Sequence, residues 1–181
     1  MKKPLQYAIY KGMGGKFGAV QVNLQPPHYY RMVDGKSQKD WDGDRALDST
    51  GRIKDTEGWK QREGAVFLEA TSSVGDNQYD WEQKVTVALS VTDMGKLTIG
   101  LKTGKETKLM HDPGAKTERA GVTSKHITLT SPDGVMSRGC MLQVSQKTGD
   151  TRKSHTIPLS PDECLVLGTL LTTAIPKALG W

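Results

Sequence analysis

An α+β fold, built mainly from antiparallel strands and closed by an amphipathic helix, is what this sequence predicts. Three observations predict it. Apolar side chains alternate with period two in several short segments, the pattern of half-buried strands. Turn-forming clusters separate those segments. The last stretch, SPDECLVLGTLLTTAIPKALGW, has a helix start signal followed by apolar residues at three- and four-residue spacing.

Taken in order, the first strand is YAIYKG at residues 7–12, which runs into four glycines and two lysines between Lys11 and Gly18. Such an ending suits a flexible turn with solvated lysines, or a place where backbone and a polyanion come close. Val66, Leu68 and Ala70 alternate in GAVFLEA, and Val85, Val87, Leu89 and Val91 in KVTVALSV. Ile127 and Leu129 do so in KHITLTS, and Cys140, Leu142 and Val144 in GCMLQVS. Turns are expected at DGKS near Asp34, VGDN near Gly75, SPDG from Ser131 and KTGD from Lys147. SVTDMGKLTIGL, residues 90–101, reads as a short helix beginning near Thr92 or Asp93, with Gly95 and Gly100 counting against it. In the terminal helix Ser160 is the N-cap, Pro161 the first helical residue and Glu163 the partner of a capping box. Cys164, Leu167, Leu171, Ala174 and Ala178 form its apolar stripe, and Pro176 is expected to kink or end it.

At 181 residues the chain fits one domain, residues 1–181, with one well-filled core. It has no apolar run near the length of a membrane span and no targeting segment, so a soluble chain is expected. Net charge is +5 and uneven: 12 basic against 7 acidic residues in 1–62, 5 against 8 in 63–112, and 7 against 3 in 113–156. Basic blocks that alternate with acidic ones point to a polyanion partner as the sharper alternative to plain solvation. Cys140 and Cys164 stand alone, without CxxC or Cys/His spacing, so neither a zinc site nor a disulfide framework is expected.

No catalytic constellation emerges, and no enzyme, cofactor or metal is expected. GMGGKFG has Phe17 where the third glycine of a dinucleotide fingerprint belongs, and no Ser or Thr follows Lys16 as a phosphate-binding loop requires. Asp40, Asp42 and Asp44 in DWDGD resemble a calcium loop only briefly, because Gly43 is misplaced and Gly51 falls where the closing glutamate belongs. His28, His111, His126 and His155 have no partner at ligand spacing.

Aromatic and basic residues are interleaved instead. Tyr29, Tyr30 and Arg31 follow two prolines; Trp41, Arg45, Trp59, Lys60 and Arg62 occupy a polar stretch; Tyr79, Trp81 and Lys84 begin a strand. Rings that stack on bases beside cations that track phosphates suit a single-stranded nucleic acid. Tyr79 and Trp81 serve equally well as core residues at a strand start. Trp41 and Trp59, apolar rings in a hydrophilic stretch, are expected to be exposed and functional.

The series YAIYKG (7–12), RALDSTGRIK (45–54), QYDWEQKVTVALSVTDMGKL (78–97), MHDP (110–113) and the terminal IPLS helix ending IPKALGW resembles the Whirly family. The order is the family's, and the likeness covers most of the chain. It implies two antiparallel four-stranded sheets packed nearly at right angles, each followed by a helix, a ββββα unit used twice. It also implies tetramers held by the helices, with single-stranded DNA lying along sheet edges between protomers. Kinetoplastid guide-RNA-binding proteins share that fold and bind RNA.

Two departures stand out. Plant members continue YxIYKG with a Lys-Ala-Ala-Leu-Thr-Val segment tied to DNA contact and higher assembly; here MGGKFGAVQV replaces it, with Lys16 as the substitute lysine. An insertion of roughly residues 24–44 carries HYYR and KDWDGD. The expected function is non-catalytic single-stranded DNA binding with low sequence preference, in replication, recombination or repair. The alternatives are a regulator of melted promoters and an RNA-annealing protein. Candidate contacts are Lys11, Lys16 and Phe17 at the first turn, Tyr29, Tyr30, Trp41, Arg45, Trp59, Lys60 and Arg62 beyond it, then Tyr79, Trp81 and Lys84. With no transit peptide in view, a bacterial or phage source and a cytoplasmic or nucleoid setting are expected, or an organellar one for a processed form.

Overall fold

The computed structural model describes residues 5–12, 15–114, 121–134 and 138–181. Residues 13 and 14 of the first glycine-rich turn lie outside them. The first half of the chain forms strands β1 (Leu5–Tyr10), β2 (Gly18–Gln25), β3 (His28–Val33), β4 (Lys36–Asp40), β5 (Lys60–Arg62), β6 (Ala65–Gly75), β7 (Gln78–Tyr79) and β8 (Val85–Leu89). Helix α1 (Val91–Thr103), strands β9 (Thr107–His111), β10 (Thr123–Thr130), β11 (Cys140–Thr148) and β12 (Thr151–Leu159), and helix α2 (Pro161–Leu179) follow.

Two antiparallel sheets and two helices carry the predicted plan. In the first sheet β6 pairs with both β2 and β8, while β1 lies outside β2; the second is the meander β12-β11-β10-β9. The alternation read from the sequence becomes rows across strands: Ile9, Val20, Ala70 and Val85 align, as do Val22, Leu68 and Val87. Leu109, Ile127 and Val144 align in the second sheet. These rows join Met94, Leu97 and Leu101 of α1 and Cys164, Leu167, Leu171 and Ala178 of α2 in one buried cluster. Each fully buried Leu, Ile or Val contributes roughly 1.5–3 kcal/mol.

The structure amends the expected strand count. The two-residue β7 extends the first sheet to five strands, and β4-β3-β5 form a separate three-stranded sheet inserted between β2 and β6. Its hairpin turns through Asp34 (φ 49°) and Gly35 (φ 73°), the left-handed pair that a two-residue turn requires. Tyr79 and Trp81 do not begin a strand of the core; Trp81 lies half-exposed in a 3-10 turn, Trp81–Gln83.

Both helices start with reciprocal caps. The Ser90 Oγ accepts the Asp93 N–H, and the Asp93 carboxylate accepts the Ser90 N–H, so α1 forms despite its glycines because its buried face and its cap outweigh their cost. The α2 helix runs through Pro176 to Leu179 and is capped by Gly180. Cys140 and Cys164 are not isolated in space: their sulfurs lie 3.0 Å apart, buried, and both are free thiols. The Cys164 contact and burial push the Cys140 thiol up.

His155 of β12 links the sheets. It faces Ser72 Oγ of β6 through Nδ1 at 2.8 Å and the Gln83 carbonyl through Nε2 at 3.2 Å. Burial holds its pKa below the ordinary histidine value, assisted by Lys153.

Candidate nucleic-acid interface

Residues 10–12, 15–18 and 71–79 make one open end of the first sheet. Tyr10 and Ile9 alternate across β1, so Ile9 enters the core while Tyr10 stays 53% exposed. The Tyr10 ring meets that of Tyr79 at 5.1 Å, and the Tyr79 hydroxyl accepts the Gly12 N–H at 2.9 Å. Gly18 is required for packing: a Cβ there would lie 1.9 Å from the Thr71 carbonyl oxygen. Phe17 adopts φ 62°, a left-handed conformation unusual for a bulky residue, and its carbonyl accepts the Ser73 N–H at 3.0 Å. That geometry leaves its ring 49% exposed beside Lys16, which forms no ion pair with a described residue.

Other cations expected here are engaged. Lys11 Nζ lies 2.8 Å from Glu163 Oε1, the carboxylate that caps α2. Lys84 Nζ is 2.8 Å from Glu69, whose carboxylate also accepts from Gln21 and Thr86. Burial alone would raise the Glu69 pKa, but Lys84 and these hydrogen bonds outweigh it and hold the carboxyl below its usual range.

The small sheet sorts the remaining candidates by face. Tyr29 and Arg31 point to the inner face, over the segment that carries Ala46 and Trp59; Tyr30 points outward between its cross-strand partners Lys39 and Lys60. Trp59 is 1% exposed, which overturns its expected exposure. Its cover is cationic: the Arg31 guanidinium carbon lies 4.7 Å and that of Arg45 5.7 Å from the ring centroid. A polar stretch buries a large ring when arginines stack on it. Arg45 also donates to the Lys39 carbonyl, and Arg31 approaches Glu57 at 3.8 Å. Asp40, in the acidic DWDGD stretch, is buried and accepts the N–H groups of Arg45 and Ala46. Burial opposes ionisation there, yet those bonds hold its pKa below the usual value. Trp41 does stay open, 44% exposed, stacked on His28 at 4.4 Å.

The candidates therefore occupy two surfaces at opposite ends of β2. Lys16, Phe17 and Tyr79 share the first; Tyr30, Trp41, Lys60 and Arg62 share the second; Lys11, Arg45, Trp59 and Lys84 are tied into the framework. Tyr10 and Lys39 went unselected. Period-two alternation from Ile9, and from Asp40 through the DG turn, marks both as outward-facing. Among the described residues no cluster of His, Cys, Asp and Glu could hold a metal ion.

Residues 45–170 match the family model described as Whirly transcription factor. Over 120 residues, 66% of this chain and 50% of the relative, the chain is 28% identical to the single-stranded DNA-binding protein WHY2, mitochondrial, of Arabidopsis thaliana. Over 121 residues, 66% of this chain and 43% of the relative, it is 31% identical to the single-stranded DNA-binding protein WHY1, chloroplastic, of Solanum tuberosum. The match thus spans half or less of these relatives' length. The crystal structure of WHY1 from Arabidopsis thaliana superposes with a TM-score of 0.73 at 23% identity, covering 100% of this chain and 88% of that one, a likeness of fold. The expected bacterial or phage setting is corrected by these relatives, whose mitochondrial and chloroplastic names point to an organellar one. Motif order, sheet-and-helix plan and the span of the match agree: this chain belongs to the Whirly family.

Proposed function

We propose that this chain is a non-catalytic single-stranded DNA-binding protein of low sequence preference that coats strands during replication, recombination or repair. One observation carries the reading. The open end of the first sheet presents two half-exposed rings, Tyr10 and Phe17, and Lys16, which makes no ion pair among the described residues, on a backbone whose neighbouring amides are already bonded. Rings take bases of any sequence and the lysine takes phosphate, so the site reads strand rather than code. The relatives named as single-stranded DNA-binding proteins support it. The description of the family as a transcription factor supports a second reading, regulation at melted promoters.

The chain works as a homo-oligomer, a tetramer on this reading. Leu165, Val166 and Leu170 of α2 and Ile99 of α1 are exposed apolar residues, while the stripe from Leu167 to Ala178 is buried within the chain. The oligomer contact therefore falls on the opposite side of α2 from that stripe. Light scattering that returned a monomer at micromolar concentration would count against it.

Titration of matched single-stranded DNA, duplex and RNA by fluorescence anisotropy tests the function. The expected result is tightest binding to single-stranded DNA, with a salt slope near −0.7 per phosphate neutralised. Preference for one duplex promoter would move the protein to the regulatory reading, and tighter binding to RNA would make it an RNA-annealing protein.

A further inference from the structure

We propose that the outer face of the β4-β3-β5 sheet is a second contact for single-stranded nucleic acid, remote from the first; this rests on the nucleic-acid reading above. Cross-strand partners share a face, so the register builds two rungs. Lys39, Tyr30 and Lys60 form one. His28 and Arg62 form the next, and Trp41, directly after Asp40, stacks on His28 to complete it. The rungs lie about 7 Å apart, two residues along a strand.

Each rung thus sets aromatic groups among cations, and no carboxylate occupies either. Lys39, Lys60 and Arg62 are exposed and make no ion pair with a described residue. On the opposite face the cations are engaged, Arg31 with Gln38, Glu57 and Trp59, and Arg45 with Trp59 and the Lys39 carbonyl. The sheet thus separates its charges by face: arginines tied to Gln38, Glu57 and Trp59 inside, and outside three exposed cations that make no ion pair with a described residue, of which Lys39 lies 5.7 Å over the Trp41 ring. Of the rings, Trp41 is exposed and Tyr30 partly so, while His28 is buried behind the Trp41 indole; three positive groups around them are complementary to a polyanion with bases available for stacking, which a duplex does not offer.

The two contacts are far enough apart to be independent. The first surface adjoins Gly18 and the small sheet begins after Gln25, so the length of β2, about 24 Å, separates them. A long strand engages both, and a short one engages either.

The test uses the full chain with oligothymidylates of about 4 to about 30 nucleotides, in the size range of single-strand sites and beyond. Lys39→Gln/Lys60→Gln/Arg62→Gln, all at exposed positions, should keep the thermal midpoint. It should also lower the magnitude of the salt slope for long strands by about 2, at roughly 0.7 for each of three phosphates. Trp41→Ala should weaken long-strand binding about tenfold, within the range for one stacked base. Both losses should grow with strand length. Phe17→Ala is titrated in parallel. If it weakens binding while the small-sheet variants bind as wild type, this inference fails and the proposed function stands. If wild type binds no single strand, the proposed function fails and this inference with it. An equal loss from Lys96→Gln/Lys102→Gln/Lys105→Gln would overturn the inference by reducing it to net charge. Loss of poly-glutamate binding by the triple variant, with strand binding intact, would overturn it in favour of an acidic polypeptide.

Discussion

The two ends of β2 use similar residues differently. Near Gly18, two lysines of one turn diverge: Lys11 is tied to the α2 cap, and Lys16 makes no ion pair with a described residue. Beyond Gln25, tryptophans of one polar stretch diverge, Trp59 sealed under two arginines and Trp41 open on His28. Composition is the same within each pair. Register and the partner across the strand decide which member is structural and which is available.

The strongest way to break this comparison is at Trp59. Trp59→Ala removes a fully buried ring and should cost about 3–5 kcal/mol, seen as an early melting transition; a variant that melts as wild type would make Trp59 a surface residue after all. Phe17→Gly sharpens the other end. It deletes the ring and relieves a left-handed backbone, so binding should weaken by about 1–3 kcal/mol while the thermal midpoint does not fall. A midpoint that dropped sharply would show the ring to be packing. Lys11→Ala should behave as a stability change, about 1–2 kcal/mol for a lost charged hydrogen bond, with little effect on the salt slope. A slope reduced as much as by Lys16→Ala would return Lys11 to the phosphates.

The smallest effect is in pH. His28 and His155 both have pKa values lowered first by burial, so the unfolded chain binds more protons than the folded one as each titrates. Their contribution is complete above the unfolded histidine value, about 6.5, and is lost as pH falls through the folded values. The thermal midpoint should therefore fall modestly between about pH 7 and 5. His155→Gln should flatten that slope, and an unchanged slope would assign it elsewhere.

Much of the framework was legible because local signals agreed with it. Alternation located the core rows of β6, β8, β10 and β11, and the Ser160–Glu163 spacing located the start of α2. The small sheet was less legible, since HYYR and KSQKD lack apolar alternation and fold by a DG turn and by cover over Trp59. The site was legible only as a pool of residue types. That Lys84 pairs with Glu69, or Lys11 with Glu163, depends on strands and helices far apart in sequence, and no local pattern encodes it.

The Lys11–Glu163 pair gives the molecule a form of internal competition. One ammonium group faces one carboxylate at 2.8 Å, and that carboxylate also holds the Ser160 N–H at the start of α2. A phosphate that recruits Lys11 must draw it from Glu163, and by linkage the helix end opposes the strand with the same free energy by which the strand loosens the helix end. Added salt weakens both attractions together, releasing the lysine from its internal partner as it screens the external one. At this position the two dependences cancel in part. Were a strand to recruit Lys11, the contribution of Lys11 to affinity would change less with ionic strength than one from Lys16, which has no internal rival among the described residues.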